Sequence, residues 1–380
     1  MFTLGSSGRR GPFTGHGSLD TCGRDTWNLY TSKGLLMRLL PRRRSAAAAA
    51  VAVIALAGCG GTGSPSGSGP TQPLSQFKDA VFFGDSLTDA GTYGFRFTTN
   101  PGMTWAQHVA EQLGQSTEPN EHVASYGDVY QGKPGRNGPG GLNYAEGGAR
   151  AKDPYSTVSQ NPEGTPISTA VQLQHFLNQH GSFGPDQLVT LYVGTNDVAY
   201  NYDPTKNPTL AQALRDNLGP SPEVMASERA RVQKAAEDEA HTASDMLAHG
   251  AKHLLVFKLF DLAVLPWFES NAARSYVHEL TAAYNERLVA LVPQGPRVQV
   301  LDTAAFVDDL LKNAAAYGFT HGANEDGCMQ PGQDYCDADA WKSPDADRTY
   351  VFAAGEHFTT HAHELLAEYV TTHISKHDGQ

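Results

Sequence analysis

Positive charge, cysteine and long apolar runs are all scarce in this chain, and each scarcity removes a class of function. Lysine and arginine number 28 against 40 acidic residues in 380, a formal net charge of −12. No nucleic acid is expected as a partner, because binding to a phosphate polymer rests on a basic patch. The four cysteines are Cys22, Cys59, Cys328 and Cys336, and a zinc site would need further ligands that the sequence does not place near them. The apolar run Ala46 to Leu56 falls well short of the roughly 20 residues that cross a bilayer as a helix. Past residue 76 there is no second linker and no internal repeat, so one elaborated domain is expected.

The flanks of the apolar run say what it does instead. A basic stretch, Met37-Arg-Leu-Leu-Pro-Arg-Arg-Arg44, precedes it, and Leu56-Ala-Gly-Cys59 follows in the form of a lipobox. Residues 37–58 are therefore expected to be a bacterial lipoprotein signal peptide, cleaved before Cys59, whose thiol takes the lipid. Residues 1–36 lack periodicity and precede a plausible initiator at Met37, so the 1–58 leader is read as a doubtful start followed by the signal. The segment 59–76 is a tether: Gly60 to Pro70 has no apolar residue to bury. Gly60 after the lipobox cysteine is similar to lipoproteins sorted to the outer membrane, so an exported protein anchored there by its N-terminal lipid, on the periplasmic or surface face, is expected. Before Cys59 lie 8 of the 28 basic and 2 of the 40 acidic residues, which leaves 20 against 38, a net −18. In an oxidising compartment Cys328 and Cys336, with seven residues between them, are expected to form a disulfide.

Residues 77–380 alternate strand-like and helical patterns. Apolar runs at Ala80–Phe83, Leu188–Val193, His253–Leu259 and Arg297–Leu301 read as buried strands, and helical spacing recurs at Trp105–Leu113, Ala170–Asn178, Glu228–Ala248, Val277–Leu291 and His361–Ile374. Alternation of this kind implies a parallel sheet with helices on both faces. A second strand, expected just before Gly148, is poorly marked. Long polar loops fill 117–141 and 203–222. The acidic segment 326–347 lacks the glycine and glutamate spacing of a calcium loop and reads as solvated.

Gly84-Asp85-Ser86-Leu87 ends the first strand in a polar turn that presents one serine. Three later segments join it in order: Asn143-Tyr-Ala-Glu-Gly-Gly-Ala149, Gly194-Thr-Asn-Asp197 after a strand, and Gly355-Glu-His357. Together they resemble the four blocks of the GDSL, or SGNH, hydrolase family, over roughly residues 78–372. The stretches Phe257 to Pro266 and Ala315 to Thr320 resemble segments between those blocks. The resemblance implies a three-layer α/β/α sandwich with a parallel, flavodoxin-like sheet, and a serine-dependent carboxylic ester hydrolase of the esterase, lipase or lysophospholipase type that needs no cofactor or metal. Its substrate would be a small-molecule or lipid ester. Residue 88 is Thr, so the Gly-x-Ser-x-Gly elbow of the unrelated α/β-hydrolases is absent around Ser86.

Ester hydrolysis through an acyl-enzyme needs a nucleophile, a base and oxyanion donors. The resemblance implies Ser86 as nucleophile and His357 as base, with the Ser86 and Gly148 backbone N–H groups and the Asn196 amide as donors. Gly147 takes the place of Gly148 if the turn registers one residue earlier. His363 is implied as structural, and His361 reads as a solvent-facing helix residue. The chain departs from the family at one place: Ala354 stands where an aspartate, three residues before the histidine, would orient the imidazole. Four readings stay open. A backbone carbonyl orients the ring of a Ser86–His357 dyad; Asp345 or Asp347 folds back; Glu356 substitutes from the adjacent position; or the protein is a degenerate glycan- or lipid-binding surface lipoprotein. A carbohydrate O-acetylesterase is the alternative enzyme.

Overall fold

The computed structural model describes residues 74–123, 136–153, 166–330 and 332–374. The leader, Cys59 and nearly all of the tether lie outside them. Four strands, β1 (Asp79–Gly84), β2 (Gln187–Tyr192), β3 (His253–Phe257) and β4 (Val298–Leu301), form a parallel sheet in that order. Phe83 pairs with Leu191, and Leu191 with Val256.

A parallel sheet must be covered on both faces, and successive side chains of β1 show how. Phe82 meets Trp105 edge-on at 5.7 Å, on α1 (Trp105–Gln112); Phe83 points the other way and meets Phe176 at 5.9 Å, on α2 (Thr169–His180). After β2 comes the short α3 (Thr195–Ala199), then α4 (Pro222–Ala248) and α5 (Asn271–Leu291), which pack on each other, with α4 also against α2. The last helix, α6 (Thr360–His373), packs beside α1 on the opposite face. The result is the expected three-layer sandwich.

Helix starts differ from the sequence expectation because caps, not apolar spacing, set them. Ser221 accepts from the Val224 N–H with Pro222 in the first turn, and Ser270 accepts from the Ala273 N–H, so α4 and α5 begin six residues early. The polar stretch 203–222 also holds a helix, Pro208–Arg215, capped by Asn207. In the loop 117–141, His122–Val123 pair antiparallel with Arg136–Asn137; residues 124–135 lie outside the described residues.

The outer edge of β1 explains the poorly marked second strand. Only Asn143 bridges to Phe82, through hydrogen bonds from the Phe82 N–H to Leu142 and from the Tyr144 N–H to Phe82. Beyond it, the Glu146 N–H donates to the Gly84 carbonyl at 3.2 Å, and glutamine side chains pair Ala80 and Gly84. Gln115 donates to the Ala80 carbonyl at 2.9 Å and accepts from its N–H at 2.6 Å, and Gln172 does the same for Gly84 at 2.8 and 3.0 Å. Two primary amides thus do the work of a strand.

A second, smaller sheet carries the C-terminal motif. Strand β5 (His321–Asp326) runs parallel to β6 (Tyr350–Ala353), which turns back antiparallel into β7 (His357–Phe358). The turn is left-handed at both Ala354 (φ 55°) and Gly355 (φ 82°). Cys328 and Cys336 are disulfide-bonded as expected.

Gln172→Leu keeps the bulk but leaves the buried Gly84 N–H without its partner, while the Gly84 carbonyl keeps the Glu146 N–H at 3.2 Å. It is expected to destabilise the fold by about 1–3 kcal/mol, measured by urea denaturation.

Candidate active site

Gly84 is where the chain leaves the sheet. A Cβ there would sit 2.4 Å from the Tyr192 carbonyl oxygen, so only glycine passes so close to β2. Beyond it Asp85 accepts from the Leu87 N–H at 3.1 Å, and the Asp85 carbonyl accepts from Thr88 and Asp89 at 3.0 Å, closing a tight turn. Ser86 sits on that turn, 6% exposed. The β6–β7 hairpin delivers His357 opposite, with Nε2 at 2.9 Å from the Ser86 Oγ. Phe97 packs on the imidazole at 5.2 Å, and burial lowers the His357 pKa from 6.5 to about 3.

Two buried carboxylates bind the remaining motifs to this turn. Asp89 accepts from the N–H groups of Gly91, Thr92 and Gly147, each at 2.8 Å. Asp197 accepts from Arg150 Nε at 2.8 Å and from the Ala151 N–H at 2.9 Å. Asp197 therefore clasps the continuation of the glycine loop. Asn196 donates one amide hydrogen to the Ala149 carbonyl at 3.1 Å, which leaves its second. The Gly147 N–H is engaged by Asp89, whereas the N–H groups of Ser86 and Gly148 donate to no protein acceptor among the described residues. That distinction favours Gly148, at φ 85°, over Gly147. Gly147 matters differently: a Cβ there would strike the Phe97 ring at 1.9 Å, the same ring that backs His357.

Of the other histidines, His363 is buried and its Nδ1 accepts from the Trp105 N–H at 3.2 Å, capping α1, so it is structural as expected. His361 is not solvent-facing. It is half-buried against Phe319 and bonds Glu364 and the Tyr317 carbonyl, because α6 lies over that turn.

None of the carboxylates weighed as orienting acid reaches the imidazole. Asp345 is exposed and accepts from Ser343, and Asp347 is held in a helical turn, Ala346–Thr349. Neither bonds His357 among the described residues. Glu356 adjoins the histidine without a hydrogen bond to it. Desolvation, reinforced by Asp334 and Asp85, pushes its pKa up to about 8, so it is protonated at neutral pH and no counter-charge. Among the described residues nothing meets Nδ1 in hydrogen-bond geometry. The Asp334 backbone offsets only part of the fall in the His357 pKa that burial causes. Sequence reasoning missed Phe97, Asp89 and Arg150; only Asp89, two residues past the first motif, carried a signal that could have found it.

Burial, with repulsion from Asp197 and Asp89, lifts the Asp85 pKa from 3.8 to about 7. The folded state thus holds this proton more tightly than the unfolded chain, so the stability involved is full below 3.8 and lost as pH rises through about 7. Asp85→Asn is expected to flatten the fall in Tm between about pH 4 and about pH 8 by roughly 2 °C or more, read by calorimetry.

Residues 81–370 match the family of GDSL-like lipases and acylhydrolases. Among curated proteins, a phosphatidylcholine-sterol acyltransferase of Aeromonas hydrophila is 27% identical over 235 residues, 57% of this chain and 55% of the relative. The chain thus spans about half the length of that relative. A match across most of the chain, on a three-layer sandwich that brings all four motifs together, identifies the protein as a member of the GDSL-like lipase/acylhydrolase family.

Proposed function

We propose that the protein hydrolyses carboxylic esters through an acyl-Ser86 intermediate, with His357 as base. The observation that carries this is the 2.9 Å contact between His357 Nε2 and Ser86 Oγ beside three uncommitted donors. The Ser86 hydroxyl proton passes to Nε2 as Oγ bonds to the ester carbonyl carbon. The N–H groups of Ser86 and Gly148 and the second Asn196 amide hydrogen receive the oxyanion. When the tetrahedral intermediate collapses, the carbon–oxygen bond to the alcohol breaks and the imidazolium protonates the leaving oxygen. Water, activated by the same ring, then releases the acid. A lipid ester is the favoured substrate, because the Aeromonas relative is named for acyl transfer from phosphatidylcholine. The intact Ser86–His357 contact argues against a degenerate binder, and acyl-chain preference separates a lipase from an O-acetylesterase.

The protein works outside the cytoplasm, anchored at Cys59 by lipid. The basic segment ending at Arg44, the apolar run to Leu56 and the lipobox support this, and the Cys328–Cys336 disulfide suits an oxidising compartment.

Ser86→Ala is expected to abolish hydrolysis of p-nitrophenyl acetate, butyrate and octanoate by the purified protein, and Asn196→Ala to lower kcat by about 10²–10³. Unchanged turnover in Ser86→Ala would sink the mechanism, and strict preference for acetate would favour the O-acetylesterase. Only the neutral imidazole accepts the serine proton, so activity is lost as pH falls through the His357 pKa. The acid limb of kcat/KM is expected nearer 3 than the ordinary 6.5. For the anchor, Cys59→Ser is expected to move the protein from the membrane to the soluble fraction of cells, and unchanged fractionation would exclude lipidation there.

A further inference from the structure

We propose that Tyr284 and Arg231 are positioning residues for Asn196: reaching from α5 and α4, they grip the backbone carbonyls on either side of it and so hold its amide on the oxyanion. The inference rests on the oxyanion role proposed for Asn196 above and deepens it.

The turn that carries Asn196 cannot hold itself. Helix α3 is five residues long, too short for its own hydrogen bonds to fix it. Among the described residues the Asn196 side chain makes one bond, to the Ala149 carbonyl. From Val193 to Ala199 every residue is buried except Asn196, which is half-buried. Support therefore comes from beneath, where α3 packs on both α4 and α5.

At the front of the turn, Tyr284 lies against Gly194. A Cβ on Gly194 would come within 2.5 Å of the Tyr284 ring and 2.7 Å of its oxygen, and φ there is 122°, so only glycine lets the two approach. The Tyr284 hydroxyl stands 3.4 Å from the Val193 carbonyl oxygen and 2.6 Å from Glu239 Oε2 on α4. One hydroxyl hydrogen does not serve two acceptors. Glu239 is fully buried, its other oxygen has no partner, and desolvation lifts its pKa well above 4.5. As the neutral acid it donates to the phenol oxygen, which leaves the phenol hydrogen for Val193. At the back of the turn, Arg231 donates from Nη1 to the Asp197 carbonyl. Glu228 holds that guanidinium at 2.8 and 3.1 Å, and Glu228 is itself held by the Tyr276 hydroxyl and the Asn201 amide, each at 2.8 Å. Both grips act on main-chain oxygen, so they set where the Asn196 backbone sits, and the bond to Ala149 then sets its side chain.

Two variants test this, each with a melting curve to establish folding. Tyr284→Phe keeps the ring against Gly194 and removes only the hydroxyl; Arg231→Met keeps most of the side-chain length and removes the guanidinium. Each is expected to lower kcat about 10-fold, since a displacement of about 1 Å at a reacting group costs up to about 10² in rate, with KM changed less than about twofold. In an Asn196→Ala background neither is expected to lower kcat further by more than about twofold, because the amide they position is gone. A merely structural loss behaves differently: it lowers Tm and reduces activity by the same factor whether or not Asn196 is present. Wild-type kcat in a folded variant overturns the proposal for that residue, and losses of equal size in the two backgrounds overturn it for both. If either variant fails to fold, the other decides. Asn196→Ala by itself keeps this apart from the mechanism: unchanged kcat there sinks the oxyanion role, whereas a loss there beside unaffected Tyr284→Phe and Arg231→Met sinks only the positioning.

Discussion

The backbone of Gly84 is gripped from two sides, by the Gln172 amide on its polar groups and by the Tyr192 carbonyl against its Cα, where a Cβ would come within 2.4 Å. The chain can therefore leave the sheet in one direction only. Ser86 inherits that direction two residues later, and its distance from His357 follows from it. Because Gln172 lies on α2, whose Phe176 packs under Phe83, core packing and serine placement are one event. A change that loosens α2 would be felt at the serine before it was felt at the rest of the fold.

Buried carboxylates carry the same logic to the other motifs. Asp89 and Asp197 are nearly or fully buried, and each bonds backbone N–H groups of the glycine loop or its continuation. Burying a carboxylate is unfavourable unless its oxygens are satisfied. These two have two or three donors apiece, so the loops that supply the donors cannot drift without stranding a charge. Asp85, with one oxygen unpartnered, and Asp89, with three donors, both have raised pKa values, because burial is the largest cause in each. The glycine loop is thereby fixed so that one amide, at Gly147, is consumed in holding it and the next, at Gly148, donates to no protein acceptor among the described residues.

The sheet and most helices were legible because they are apolar runs and apolar stripes, which periodicity detects: Ala80–Phe83 reads as a strand and lies within β1. The motif residues were legible by resemblance. What escaped shares one property, that its structure comes from partners distant in sequence. The edge of β1 is paired by Gln115 and Gln172, neither of which resembles a strand. Strand β5, His321–Asp326, has no apolar alternation and exists only because β6 lies beside it. The carboxylates left open as orienting acid, Asp345, Asp347 and Glu356, do not bond the imidazole among the described residues.

The lack of a carboxylate on the imidazole changes how catalysis would be divided. With a carboxylate at its back, a histidine gains basicity, and the ion pair offsets part of the charge that develops when serine is deprotonated. Without one among the described residues, buried His357 stays far below its ordinary pKa, so it is nearly always ready to accept a proton but weakly drawn to it. The compensation must come from the other side of the reaction, where the negative charge forms. Under the proposed mechanism the three donors at Ser86, Gly148 and Asn196 take that part, two on backbone and one on an amide already held by Ala149. A site built this way depends more on its oxyanion hole than a full triad does, which is why the carboxylate clasps at Asp89 and Asp197 matter to rate as well as to folding.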